Sequence, residues 1–482
     1  MFKKKMRILF YLLVCLLSCL TSLSAQTNWT AQLQDAYPRY RDKNLTDRRF
    51  KPSDIASLVQ ALGSPFKVQE EGQSVEGRPI FSIRFGTGST TVLLWSQMHG
   101  DEPTATAALM DILCFFQATN DGFDVFRNQL LKDLTIVLVP ILNPDGAEVF
   151  ERRNALGIDI NRDALRLTSP EARLLKRLRD ELQADWGFNL HDQNRFYGAG
   201  YPTKQMATLS LLAPAYNSAR EVNPVRQRAM QLVALLNNRL QPFAPRKIAR
   251  YNDAFEPRAF GDNMQKWGTS TVLIESGGYP DDREKQYIRQ LNFVGILSAL
   301  HAIGRSSYQN FTVADYNKIP YNRSGLFNDL LLREVRYTLN NESYLLDIAF
   351  DRDEEDYNAA RAFYYQGKIR DVGDLSLQQA YEELPPSGYT VEIGKCYPTL
   401  LPTLTAVRQL DANALLREGY AVVRVEKPGP TWDYDNDSLW IVGAEGYYDQ
   451  TLQPGANPPL LLRNTAGSVV YAVINGQLIQ VD

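Results

Sequence analysis

Residues 90–117 read TTVLLWSQMHGDEPTATAALMDILCFFQ. An unbroken apolar run ending at Trp95 passes through a polar turn into a second apolar stretch of helical length, with Pro103 at its start. A strand buried on both faces carries such a continuous run, and proline is well tolerated in the first turn of a helix. The stretch therefore predicts strand, turn, helix. His99 and Glu102 stand in the turn.

The same alternation continues outward, from about Lys67 to Ile303. "LTIVLVPIL" (134–142) reads as a second strand closed by the turn "NPDG", and "SPEARLLKRLRDELQA" (169–184) as a helix capped by Thr168 or Ser169. "WGFNLH" (186–191) is a third strand, "VRQRAMQLVALLNNRL" (225–240) a helix, "STVLIES" (270–276) another strand and "DREKQYIRQLNFVGILSALHAI" (282–303) a closing helix. This pattern implies an α/β unit with a mainly parallel, mixed central sheet and helices on both faces. After about Ser306 the chain turns to β-branched and aromatic runs such as "REVRYTLN", "GYAVVRVEK" and "SVVYAVINGQLIQV", broken by Gly, Pro, Asn and Asp. A β-rich C-terminal domain over 307–482 is expected, following a domain over 26–306.

The first residues predict neither. "MFKKKMR" is a basic segment, "ILFYLLVCLLSCL" an apolar core too short to span a bilayer, and "TSLSA" ends in a small residue. Residues 1–25 are expected to be a signal peptide cleaved after Ala25, giving a periplasmic or secreted protein with no stable membrane insertion. Lipidation at Cys19, in the loosely lipobox-like "LLSC", is the alternative. Cys114 and Cys396 remain, far apart, and are expected to be separate buried thiols. The formal charge of −3 over 482 residues lacks the basic excess of nucleic-acid-binding proteins.

Of three histidines, His301 lies within a helical run without an acidic neighbour and reads as a packed histidine. The other two end strands. His99 and Glu102 share one turn, His191 ends "GFNLH", and Glu275 ends "TVLIE". Open α/β sheets bind ligands at the carboxyl ends of their strands. Histidine and glutamate are ordinary zinc ligands, and a catalytic zinc takes three protein ligands and a water. A lone His-x-x-Glu is common by chance. Four suitable residues at three strand ends point to one metal and a general base.

"HGDE", "NPDG", "GIDINR", "NLHD" and "LIESG", in that order, resemble the zinc carboxypeptidases related to carboxypeptidase A, over roughly Gln69 to Gly304. The resemblance implies one zinc ion per chain, held by His99, Glu102 and His191, with Glu275 as general base. It implies that Asn161 and Arg162 hold the terminal carboxylate of a peptide substrate, and that Arg152 polarises the scissile carbonyl, with adjacent Arg153 as the alternative. Chemistry agrees with such roles: a guanidinium grips a carboxylate through two parallel hydrogen bonds and stabilises a developing oxyanion. Tyr251 is the candidate for the family's mobile tyrosine, and Asp163 departs from the usual residue after the Asn-Arg pair. The pocket for the last side chain is expected within "AFEPRAFGDNMQ", where Arg258 and Asp262 favour opposite charges.

The implied activity is hydrolysis of the C-terminal peptide bond by an exported metallocarboxypeptidase. Two other readings stay open: a related zinc amidohydrolase acting on acyl-amino acids or peptidoglycan peptides, and a non-catalytic binding protein.

Overall fold

The computed structural model describes residues 29–201 and 205–481. The expected leader, with Cys15 and Cys19, lies outside the described residues. Eight strands build the first sheet: β1 (Lys67–Gln73), β2 (Pro79–Phe85), β3 (Thr90–Trp95), β4 (Leu134–Val139), β5 (Trp186–Asp192), β7 (Leu209–Leu212), β8 (Ile248–Arg250) and β9 (Ser270–Ser276), with the short β6 (Gly198–Ala199) outside it. Their order is β1-β2-β4-β3-β5-β9-β7-β8. The central pairs β4/β3, β3/β5 and β5/β9 are parallel, whereas β1/β2, β2/β4 and β9/β7 are antiparallel. The sheet is mixed, parallel at its centre.

Strand periodicity explains the layering. Val92 and Leu94 point into a core shared with the helices Thr104–Gln117, Pro224–Leu240 and Gln286–Gly304, while Leu93 and Trp95 point to the opposite face, against Pro170–Leu182 and Phe260–Lys266. Both faces are thus covered, which is why the central strands read as unbroken apolar runs. Ser169 caps its helix by accepting from the Ala172 amide at 3.2 Å. One expected turn is instead a helix start. "NPDG" opens the helix Pro144–Val149, with the Asn143 side chain accepting from the Gly146 amide at 3.0 Å. Asn before Pro serves a helix N-terminus as well as it serves a turn.

The boundary expected at residue 306 falls inside the first core: Tyr308, Tyr316 and Ile319 all pack into it. The short β10 (Asn322–Arg323) pairs with β6. The β-rich unit then begins with β11 (Phe327–Leu339), β12 (Glu342–Tyr357) and β13 (Ala362–Gly373), joined in a seven-stranded path to which β14 (Gln379–Leu384) adds on β11. It also holds a three-stranded parallel sheet flanked by two short helices, Leu404–Arg408 and Ala412–Arg417, which the strand-like reading did not anticipate. Cys114 and Cys396 are unpaired and half-buried rather than fully buried, and burial raises the Cys114 thiol to about 11. No helix among the described residues is long and apolar enough to cross a membrane.

Candidate metal centre

The site forms where β3, β5 and β9 end. Between β3 and His99 the buried Gln97 adopts a left-handed backbone (φ 43°), and its side-chain amide donates to the Gly100 carbonyl at 2.9 Å. Such strain in a non-glycine residue persists only where surrounding structure enforces it. Here the Asn143 amide donates to the Gln97 carbonyl at 2.9 Å, and Gly100 lies so close to the Gly146 backbone that a side-chain carbon would overlap it. The "HGDE" glycine is therefore needed for that contact, and a side-chain carbon on the "NPDG" glycine would strike the Glu151 and Arg153 carbonyls.

His99 and His191 direct the same ring nitrogen, Nδ1, at the two oxygens of Glu102, at 2.8 and 2.6 Å. All three side chains are buried, and one ligand atom from each lies within 4.8 Å of the others. This is the one such group of metal-ligating side chains found among the described residues. The other nitrogen of His99, Nε2, lies 3.1 Å from Asp159 Oδ1, the support that fixes a ligating imidazole's tautomer and orientation. Burial opposes charge on His99, yet Glu102 and Asp159 carry it up to about 9. Glu102 is held below the usual carboxylate range: burial opposes this, and the two imidazoles outweigh it. The donor set, two imidazole nitrogens and a carboxylate, is chemically suited to zinc.

Glu275 pairs in register with His191 across β5 and β9, so the two side chains leave neighbouring strands on the same face. Burial, then the nearby Glu102 carboxylate, raises Glu275 well above the usual range. Arg152 reaches the cluster and Arg153 does not. Arg152 Nη1 lies 3.1 Å from His99 Nδ1 and 3.3 Å from Glu102 Oε1, while its Nε and Nη2 donate to Asp159 at 3.1 and 3.0 Å. Arg153 turns outward to the Gly157 carbonyl.

The other expected residues lie around this group. Tyr251, just after β8, is half-buried, and burial followed by the Glu275 carboxylate raises its hydroxyl. Asn161 accepts from the Phe260 amide at 2.9 Å, tying its loop to the expected side-chain pocket. Arg162 is exposed and lies 3.6 Å from Glu256, which is also gripped by Arg258 through two bonds of 3.0 Å. Asp262 is buried, accepts from the Glu256 amide, and burial raises it to about 7. Asp163 accepts from the Thr168 and Ser169 amides and from the Ser169 hydroxyl, so its carboxylate serves the start of the next helix. His301 stacks on Phe126 at 5.2 Å, away from the cluster, and burial lowers it to about 4.

Two participants escaped the sequence reading. Asp159 lay within "GIDINR", two residues before Asn161, as an acid in a motif otherwise assigned to substrate. Glu256 stands in "AFEPRAFGDNMQ", two residues before Arg258.

Residues 54–187 match the zinc carboxypeptidase family model. Carboxypeptidase E of Caenorhabditis elegans is 36% identical over 116 residues, 20% of this chain and 24% of that protein. The chain spans about a quarter of the length of such curated relatives. Among solved structures, a metallo-carboxypeptidase from Pseudomonas aeruginosa is similar at 18% identity and TM-score 0.42, over 53% of this chain and 68% of that one. Carboxypeptidase A from Helicoverpa armigera is similar at 15% identity and TM-score 0.42, over 59% of this chain and 81% of that one. The matched segment includes His99, Glu102, Arg152, Asn161 and Arg162 and ends before His191 and Glu275. By this match, residues 54–187 are similar to the zinc carboxypeptidase family.

Proposed function

We propose that the protein is an exported zinc-dependent carboxypeptidase that removes the C-terminal residue of a peptide. The observation that carries the reading is the convergence of His99 Nδ1, His191 Nδ1 and both Glu102 oxygens, with Glu275 in register beside His191 and Arg152 on the cluster. A zinc ion held by His99, Glu102 and His191 would supply a Lewis acid and an activated water. Export rests on the leader sequence.

The chain's own groups fill the remaining roles. Glu275 accepts a proton from the attacking water and returns it to the departing amine. Arg152, already oriented by Asp159, donates to the carbonyl oxygen as negative charge grows there. Asn161 and Arg162 receive the substrate's free carboxylate, which displaces Glu256 from Arg162. Tyr251 borders the same space beside Glu275.

The test is incubation of mature protein and zinc with a mixed peptide library, read by mass spectrometry beside Glu275→Gln. Loss of single C-terminal residues is expected from the wild type, and the variant is expected to be about 10²- to 10⁴-fold slower with zinc retained. Equal rates would overturn the role of Glu275. Intact peptides would overturn the carboxypeptidase reading, and N-acyl amino acids and muropeptides would then be assayed.

A further inference from the structure

The loops that follow His191 and Glu275 meet the β-rich unit at one place. Arg195 lies four residues beyond His191, and Gly278 three beyond Glu275. The Arg195 guanidinium forms a bidentate pair with Asp329 of β11, whose side chain is only 1% exposed, and also donates to the Arg352 carbonyl at 2.6 Å. The Asp329 carboxylate accepts in addition from the Arg352 amide at 2.6 Å, so it is bound on both sides. The Tyr381 hydroxyl, from β14, donates to the Arg195 carbonyl at 2.6 Å. That hydroxyl also presses on Gly278, where a side-chain carbon would overlap it. Gly278 keeps a negative φ, so this close approach, and not a special backbone conformation, is what requires glycine. Between the two loops, the Gln193 amide donates to the Ser276 carbonyl at 3.0 Å, and the Gln193 side chain accepts from Asn322 at 2.9 Å.

We infer that Tyr381 and Asp329 are positioning residues: from the β-rich unit they lock the ends of β5 and β9 together and so hold His191 and Glu275 at a working separation. Strand pairing alone aligns the two residues as far as Asp192 and Ser276. Beyond that point Lys285 bridges the strand ends from within the first unit, donating to Asp192 at 3.0 Å and to the Ser276 carbonyl at 3.2 Å, and Thr208 bonds Gly277 and Gly278. The β-rich unit adds a guanidinium–carboxylate fork, which is geometrically specific, and one tyrosine wedged across both loops. Displacements of about 1 Å at reacting groups are enough to cost up to about 10²-fold in rate. The β-rich unit therefore takes part in the site without touching substrate. This inference rests on the carboxypeptidase reading for its kinetic arm only.

Four proteins test it: wild type, Tyr381→Phe, Gly278→Ala and the double variant. Tyr381→Phe keeps the ring and removes the hydroxyl that bonds Arg195 and crowds Gly278. It is expected to lower kcat about tenfold with KM changed less than about twofold, since the loss falls on alignment rather than on substrate contacts. Gly278→Ala is expected to be the more damaging single change, and adding Tyr381→Phe is expected to restore part of its kcat, because the atom that the methyl strikes hardest is gone while the closer-than-normal approach to Arg195 Cβ, at 2.8 Å, remains. Such a rescue is the signature of coupled neighbours. The arm independent of activity is amide hydrogen exchange at Gln193 and Gly277, expected to be about tenfold faster in Tyr381→Phe while the central strands are unchanged. Unchanged exchange at both amides, or additive losses in the double variant, would overturn the lock. No turnover by the wild type, with altered exchange in Tyr381→Phe, would overturn the carboxypeptidase reading and leave the lock standing.

Discussion

His99 and Glu102 sit on one turn whose supports all come from the first unit: Gln97 beneath it, Asp159 behind the imidazole, and the Gly100–Gly146 contact beside it. His191 and Glu275 stand on adjacent strands, and the loops beyond them are held by Tyr381 and Asp329 of the second unit. One side of the site is held by the first unit alone; the other is held by Lys285 and Thr208 of that unit and also by contacts from the β-rich unit. The difference teaches that a short motif can carry its own geometry when its partners are a few tens of residues away. Two strand ends brought together by a sheet here take a further brace from elsewhere.

The comparison is broken most directly at Arg152. On the locally built side, Arg152→Lys is expected to lower kcat/KM by about 10²-fold, since lysine cannot hold Asp159 and reach the carbonyl at once. Arg153→Lys is expected to stay within about twofold, because Arg153 is exposed and bonds only a nearby carbonyl. Steady-state kinetics on any peptide the wild type cleaves checks both, and comparable losses would remove the distinction drawn between these neighbours.

Asp159→Asn sharpens the same side. Loss of the charged support behind His99 is expected to weaken zinc binding by about 10- to 100-fold, measured by competition with a chromogenic chelator. Unaltered affinity would mean that the His99 ring is held by its turn alone.

The smallest effect concerns the interface. Glu354 of β12 pairs with Arg48 and Arg49 of the first unit. Burial opposes its ionisation, but the two arginines hold its carboxyl below the usual range. A depressed carboxylate pKa contributes stability that is full above its unfolded value, about 4.3, and is lost as pH falls through the lower folded value. Wild type is therefore expected to lose melting temperature more steeply than Glu354→Gln as pH drops below about 4. Parallel curves would show that this pair adds nothing at the interface.

Much of this was legible in the residues alone. The alternation of runs and the doubly buried strands define the α/β unit because backbone periodicity is local, and His99, Glu102, His191 and Glu275 could be read as strand-end residues for the same reason. Asparagine and proline in "NPDG" fit both a turn and a helix start, so those residues alone do not choose between them, and the core's continuation to Ile319 leaves no mark in composition. The choice of Arg152 over Arg153 depends on which way a loop faces. The Asp159 support of His99 joins residues 60 apart, and the Tyr381 brace joins residues 186 apart. The sequence by itself determined which groups stand at the strand ends; only the tertiary structure decided which of their neighbours hold them, because those contacts exist only once distant segments are packed together.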